Sequence, residues 1–160
     1  MNVNVEIPKH ANIQGYPNSK RIWVTTSDFV FYIDGVKYVI PADFVNDLYS
    51  IPAFLHFWRG NNNGWGKEAA VIHDFMRRFR KLFGWSVKFT DEVFLEAMRL
   101  YDLDTANIKY RAVRLFAWAT SIGSGCGKPS RKISRAMEIN GDCWEEYRKD
   151  VMVFNKRRIK

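Results

Sequence analysis

The middle of the chain contains a segment with a clear helical period. Residues 66–84 read GKEAAVIHDFMRRFRKLFG. Apolar side chains recur here at the spacing that places them along one side of an α-helix: Val71, Ile72, Phe75, Met76, Phe79, Leu82 and Phe83. Gly84 is a residue type that commonly ends helices. The pattern therefore predicts a helix from about Lys67 to Phe83 with one buried face.

The sequence before this helix has the composition of β-strands. Residues 21–40 contain three runs, RIWVTT, DFVFYI and VKYVI, that are rich in β-branched and aromatic residues. Asp34-Gly35 separates the last two runs, and such a pair between strand-like runs indicates a hairpin turn. We expect Pro41 to end the sheet. The polar residues 1–20 are expected to form an irregular lead-in.

The rest of the chain is expected to be mainly helical. Residues 42–120 are assigned to a helical body that contains the helix described above. A second helix is predicted to start with Thr90 as its N-cap, because a hydroxyl side chain there precedes two acidic residues, and to run to about Leu103. A third is predicted to start near Ala106.

The last part of the chain completes a predicted α+β architecture. Residues 121–160 are expected to form a basic loop over 121–132 and a helix from about Asp142 to Phe154. The prediction is thus a small N-terminal antiparallel hairpin or sheet packed on a mainly helical body. We expect residues 1–160 to form a single domain.

Composition excludes several classes of protein. The chain has 160 residues, of which 47% are hydrophobic and 16% aromatic, so it is neither disordered nor collagen-like. The densest apolar stretch, Ile51 to Trp58, is far shorter than the roughly 20 residues that cross a bilayer. No secretory signal is visible at the N-terminus. We therefore expect no transmembrane segment and no secretion by a signal peptide.

The charge of the chain favours acidic partners. Lys and Arg total 25 against 17 Asp and Glu, which gives a formal net charge of +8. Such a charge favours contact with nucleic acid, an acidic protein face or a membrane surface. No reading helix or base-stacking motif accompanies it, so sequence-specific nucleic-acid binding is not predicted.

The two cysteines do not indicate a metal site or a phosphate-binding loop. Cys126 and Cys143 lack paired-ligand spacing and are read as free thiols. The glycine-rich stretch GSGCGK at 123–128 resembles a P-loop only superficially. Ile122 occupies the position of the first glycine and Pro129 that of the magnesium-binding hydroxyl.

One histidine and two carboxylates form the candidate chemical site. His73 and Asp74 flank the apolar side of the central helix, and Asp91 lies at the border of the apolar side of the next helix. Such a set can supply a general base, a group that orients it and a hard oxygen ligand for calcium. Zinc is disfavoured because no His/Cys set has ligand spacing. The alternative is that His73 and Asp74 are exposed helix residues and Asp91 is a first-turn acid.

Helix geometry places a condition on this site. His73 lies ten residues, or about 15 Å, before the predicted helix end. Asp91 would meet it only if the connection folds back or the helix ends early.

Three further polar residues have two interpretations each. His56 could complete a two-histidine site, but its aromatic neighbours favour a packed ring. Asp47 and Ser50, in the segment NDLYSIP, are typical of a turn or a helix cap. The functional alternative is that this segment contributes Asp47 to the site of His73.

Four blocks of the sequence resemble a known family. They are NDLYSIP at 46–52, GKEAAVIHDFMRR at 66–78, TDEVFLEAM at 90–98 and YRAVRLF at 110–116. Their order and spacing resemble a phage and prophage family of unknown function, number 1353, over about residues 20–118. The resemblance implies a phage origin but no settled activity. It marks as characteristic polar positions Asp47, Ser50, His73, Asp74, Asp91, Tyr110 and Arg111, and Arg77 stands where the family usually has Tyr.

A looser resemblance is to the active site of phospholipase A2 enzymes. It implies that His73 is the base that activates a water, that Asp91 orients the imidazole and that Asp74 binds calcium. We expect Asp47, if its segment reaches the site of His73, to be a second metal ligand. The sequence departs from that group in lacking a clear glycine-rich calcium loop and in carrying Arg77 in place of a tyrosine. Arg77 could instead pair with Asp91.

These observations leave three hypotheses about function. The first is a virion-associated phage protein, for instance of the tail, with a calcium-assisted His/Asp hydrolase site. The second is a non-catalytic structural or assembly protein of the particle, with other phage structural proteins as partners. The third is a basic, host-directed binding protein. The expected location is the virion or the host cytoplasm.

Overall fold

The computed structural model describes residues 3–47, 66–101, 106–108, 110–111, 113–114 and 125–156. Two three-stranded antiparallel sheets lie mostly in the N-terminal part and helices follow, so the predicted α+β class is confirmed. The strands are β1 (Val5–Glu6), β2 (Ile13–Gly15), β3 (Trp23–Thr25), β4 (Phe29–Ile33), β5 (Val36–Ile40) and β6 (Val45–Asn46). The helices with defined bounds are α1 (Lys67–Phe83), α2 (Val87–Arg99), α3 (Arg131–Asn140) and α4 (Trp144–Phe154). The described residues of 106–114 are also helical.

The predicted hairpin forms the centre of the first sheet, whose strand order is β1-β4-β5. Asp34 and Gly35 turn between β4 and β5 with φ angles of 50° and 75°, as a two-residue hairpin turn requires. Phe29, Phe31 and Ile33 alternate toward the interior along β4 and are buried. The inner face of this sheet therefore packs on α1.

Two predictions for the strand regions were wrong. Residues 1–20 contain β1 and β2 and are not an irregular lead-in throughout, and the segment assigned to the helical body after residue 42 contains β6. β6 pairs with β3, and β2 pairs with the other edge of β3. Strands of two or three residues are too short to show a two-residue period, so only their long-range pairing identifies them.

The central helix has the predicted bounds, and the connection after it folds back. Gly84 adopts a left-handed conformation with a φ of 73°, and the Trp85 N–H donates to the Arg80 carbonyl at 2.8 Å, as in a Schellman C-terminus. The Trp85 ring stacks on that of Phe83, with centroids 4.2 Å apart. The chain thus reverses within three residues.

The start and end predicted for the second helix were wrong. Ser86 is the N-cap of α2, and its hydroxyl accepts the Phe89 N–H at 3.0 Å. Thr90 lies inside the helix and donates to the Val87 carbonyl. Both residues are good caps, and the tight turn at Gly84 selects the earlier one. The helix ends at Arg99, before the predicted Leu103.

The C-terminal part contains two described helices where one was predicted. α3 begins within the predicted loop 121–132, with Ser130 as its N-cap, and α4 follows after Gly141. Three residues of α3 are buried: Ile133, Ala136 and Met137. They pack on residues of the second sheet. None of the helices in the described ranges is long and apolar enough to cross a bilayer.

Candidate functional site

Helices α1 and α2 run antiparallel and set the positions of the candidate site. Gly66 precedes α1 and faces Met98 near the end of α2, where a Cβ on the glycine would lie 2.9 Å from the methionine sulfur. Further along, the His73 ring packs against Phe94, with centroids 4.8 Å apart. Because α2 starts at Val87, Asp91 is in its second turn and reaches the level of His73.

The structure brings together the predicted histidine and carboxylate. His73 Nε2 lies 2.9 Å from Asp91 Oδ1. Asp91 is fully buried, whereas the His73 side chain keeps 14% of its surface exposed. A carboxylate accepts hydrogen bonds, so we assign the proton to Nε2, which leaves the lone pair on Nδ1. The contact with Asp91 fixes the orientation of an imidazole whose side chain is partly exposed.

Two arginines complete the surroundings of Asp91. Arg77 Nη1 lies 3.8 Å from Asp91 Oδ1, so the predicted alternative pairing of these residues is present together with the histidine contact. Arg114 Nη1 donates to Asp91 Oδ2 at 3.1 Å. One buried carboxylate is therefore shared by a histidine and two guanidinium groups.

Burial favours the neutral form of His73. Desolvation lowers the pKa of the imidazole below its usual value, and the positive charge of Arg77 acts in the same direction. The hydrogen bond and charge of Asp91 oppose this shift. A neutral imidazole can accept a proton, which is the property that a general base needs.

The two predicted calcium ligands have a basic neighbour of their own. Arg78 donates to the Val45 carbonyl at 2.7 Å and lies over the Phe44 ring. Burial lowers the pKa of Arg78, and the charges of Asp74 and Asp47 oppose this effect, so both carboxylates lie in its electrostatic neighbourhood.

Among the described residues, this arrangement does not provide a calcium site. The ion takes six to eight oxygen ligands. Within the described ranges, no group of three or more His, Cys, Asp or Glu side chains is placed to hold a metal ion. The Arg78 guanidinium already supplies positive charge beside Asp74 and Asp47. We therefore assign no catalytic step to calcium.

The other predicted positions contribute less to the described site. Ser50 and His56 lie outside the described residues. Tyr110 is partly buried and Arg111 is exposed. The arginine that contacts Asp91 is Arg114, which our sequence analysis did not select. The signal was present, because residues three apart share one side of a helix and YRAVRLF carries arginines at that spacing.

A second buried carboxylate was also missed. Glu68, in the first turn of α1, is 1% exposed. Its Oε1 accepts the Ala11 N–H at 3.2 Å and lies 3.1 Å from His10 Nδ1. Glu68 shares the spacing of Ile72 and Phe75, so helical periodicity could have indicated its burial. It attaches the N-terminal segment to α1.

The fold and the site define a small α+β protein in which a buried carboxylate on one helix orients a histidine on its neighbour. The chain belongs to the family described as protein of unknown function (DUF1353), which matches residues 23–113, more than half of its length. This confirms the family indicated by the four sequence blocks. No curated protein matches the chain. No solved structure matches it either.

Proposed function

We propose that this protein is a phage-encoded, virion-associated hydrolase of ester or amide bonds with His73 as its general base. The observation that carries the proposal is the 2.9 Å contact between the partly exposed His73 ring and the fully buried Asp91. A phage origin is supported by the resemblance of the four sequence blocks to a phage and prophage family.

The proposed reaction uses the two ring nitrogens in different ways. Nδ1 of His73 takes a proton from a water molecule as the water oxygen attacks the substrate carbonyl. Nε2 keeps its proton and its hydrogen bond to Asp91, which stabilises the imidazolium that forms. The same proton then passes from Nδ1 to the leaving oxygen or nitrogen, and the neutral imidazole is restored.

The likeness to phospholipase A2 enzymes supports these roles in part. The residues concerned are His73 as base and Asp91 as the group that orients it. Asp74 has the sequence position of the calcium ligand in that group. In this protein its negative charge favours the charged forms of Arg77 and Arg78. Calcium assistance is therefore left to the assay and has no part in the proposed steps.

A second candidate function is a non-catalytic structural or assembly protein of the particle. Asp91 is completely buried and contacts basic residues from α1 and from the helical residues of 106–114. A network of this kind can be purely structural, with no function other than to hold the helices together. In this case His73 contributes to stability, and the net charge of +8 remains available for acidic phage or host partners.

Hydrolysis of a panel of chromogenic esters and amides tests the proposal. Wild type is compared with His73→Gln and with a control, His10→Gln, in which the other described histidine beside a buried carboxylate is replaced. We expect His73→Gln to lose about 100-fold or more in kcat/KM, since general-base catalysis contributes about 10²–10⁴-fold. His10→Gln should retain the activity.

Two results would contradict the hydrolase proposal. A wild-type protein that hydrolyses nothing in the panel, with calcium or with EDTA, favours the structural function, as does full activity of His73→Gln. Mass spectrometry of purified phage particles tests the location. Absence of the chain from the particles would contradict virion association.

A further inference from the structure

Arg114 differs from the other groups around Asp91 in its exposure. Its side chain is 39% exposed, against 12% for Arg77 and 0% for Asp91. Only one contact of its guanidinium occurs in the part of the chain that the structure describes, from Nη1 to Asp91 Oδ2 at 3.1 Å. A guanidinium has five N–H donors. Among the described residues, the other donors of this partly exposed guanidinium therefore have no partner.

The contact with Asp91 fixes the exposed guanidinium close to His73. Both Arg114 and His73 bind oxygens of the same carboxylate. A planar guanidinium held at one end presents its remaining donors in a fixed geometry, which suits the two oxygens of a carboxylate or a phosphate.

The charges of the site favour an anion. Arg77 and Arg114 carry two positive charges, and Asp91 carries one negative charge between them. The imidazole of His73 is neutral, so these four side chains leave one net positive charge. The positive charge of Arg80 and the negative charge of Asp74 also act on Arg77, in opposite directions. An oxyanion bound at Arg114 would neutralise the remaining charge.

We propose that Arg114 is the specificity-determining residue of the His73 site and that it binds a phosphate or carboxylate group of the substrate beside the scissile bond. The inference rests on the proposed hydrolase function and adds the class of substrate. Arg77 is too buried for this role, whereas Arg114 both contacts the buried carboxylate and is exposed to solvent.

Anion binding tests the inference without requiring turnover. The imidazole signals of His73 are followed by NMR while inorganic phosphate, or acetate in a second arm, is added at constant ionic strength. We expect one of these anions to shift the signals in a saturable way, and the two arms decide which oxyanion the site takes. Arg114→Gln should weaken this binding about 10-fold, as expected for loss of a hydrogen bond from a charged group.

Two variants control for charge and for folding. Arg111→Gln removes the same charge from an exposed position three residues earlier and should bind as wild type does. Arg114→Lys keeps the charge that faces Asp91, so it stays folded if Arg114→Gln does not, and it should bind less tightly than wild type because it lacks the planar fork. The inference would be overturned if wild type, Arg114→Gln and Arg114→Lys bound the anion equally well. It would also be overturned if Arg111→Gln lost as much anion binding as Arg114→Gln, or if the His73 signals responded to neither anion.

Kinetics separate this inference from the proposed function. With a chromogenic ester that carries a carboxylate or phosphate, Arg114→Gln should raise KM about 10-fold. With an uncharged analogue, KM should not change. Anion binding at Arg114 without any ester or amide hydrolysis would contradict only the hydrolase proposal. Hydrolysis that depends on His73 with an unchanged KM in Arg114→Gln would contradict only the inference about the substrate.

Discussion

At the scale of single residues, Asp91 connects the stability of the protein to its candidate chemistry. Burial of a carboxylate is costly unless charges and hydrogen bonds compensate for it. Here His73, Arg77 and Arg114 surround the two oxygens. The same contacts orient the imidazole, so a role in folding and a role in catalysis do not exclude each other.

Replacement of Asp91 by Asn should destabilise the protein strongly. The amide oxygen can still accept from His73, but the Arg77 and Arg114 guanidiniums lose their counter-charge. We expect a loss of roughly 3–5 kcal/mol in the free energy of unfolding, measured with urea, as found when one partner of a buried pair is removed. The control is Glu92→Gln, which removes a more exposed i,i+4 pair with Lys88 and should cost less than about 1 kcal/mol. Equal losses in the two variants would contradict the network.

The lowered pKa of His73 predicts that stability falls in mild acid. Its ordinary value is 6.5, and the folded pKa is lower, so the unfolded chain binds the proton more readily. The stabilising contribution is complete above pH 6.5 and is lost as the pH falls through this value toward the folded pKa. Urea unfolding between pH 8 and pH 5 should show this decrease, and it should be smaller in His73→Gln. A stability that rises as the pH falls over this range, or an unchanged slope in the variant, would be inconsistent with a largely buried, neutral ring.

At the scale of elements, the α1–α2 hairpin shows what local pattern can and cannot predict. The bounds of α1 follow from its periodic apolar face and from Gly84, which are local signals. The start of α2 depends on the fold-back at Gly84, which made Ser86 the cap although Thr90 is also a favourable cap by residue type. His73 lies about 15 Å before the end of α1, and the fold-back is what allows Asp91 on the next helix to reach it.

Replacement of Gly66 by Ala should disturb the packing of this hairpin. Gly66 has a φ of 87°, and a Cβ there would lie 2.9 Å from the sulfur of Met98, which is fully buried. We expect a loss of about 1–3 kcal/mol in the free energy of unfolding from backbone strain, plus a contribution from the close contact. Gly35→Ala is the matched control, because Gly35 also has a positive φ but nothing within 4 Å of the added Cβ. If the two variants cost the same, the contact with Met98 has no energetic weight.

One asparagine closes the outer edge of the first sheet. Asn155, the residue after α4, accepts the Val39 N–H at 3.0 Å and donates to the Val39 carbonyl at 2.8 Å. Its amide thus pairs with β5 as a further strand would. Asn155→Asp keeps the acceptor but loses the donor, and should lower the free energy of unfolding by about 1–3 kcal/mol. Asn12→Asp, at an exposed position whose side chain bonds only that of Ser27 among the described residues, should have little effect. No difference between these variants would argue against this pairing.

At the scale of the whole molecule, the sequence predicted the features with local signals. The α+β class, the β4–β5 hairpin and α1 follow from composition, turn residues and period. The strands β1, β2 and β6 were missed because their evidence is pairing across distance, such as Val5 opposite Ile33 and Val24 opposite Val45. Helix α3 was missed although its buried residues Ile133, Ala136 and Met137 recur at helical spacing.

The candidate site was predictable to a similar degree. His73 and Asp91 could be selected from residue type and spacing, but their contact depended on a turn that the pattern did not specify. Arg114 was missed because Arg111 lies on the same side of the helix, and only packing decides which of the two arginines reaches Asp91. The cation near Asp74 and Asp47 was not predicted either, because nothing in the sequence indicated that the partly buried Arg78 would bond the Val45 carbonyl.

The state of the His73 ring in the folded protein tests the central claim most directly, and it can be measured before any substrate is known. Nitrogen-15 NMR at pH 7 distinguishes the two neutral tautomers from the imidazolium, and a pH titration gives the pKa. We predict a neutral ring with its proton on Nε2, bound to Asp91, and a pKa below 6.5. A ring that is protonated at pH 7, or that carries its proton on Nδ1, would contradict the account.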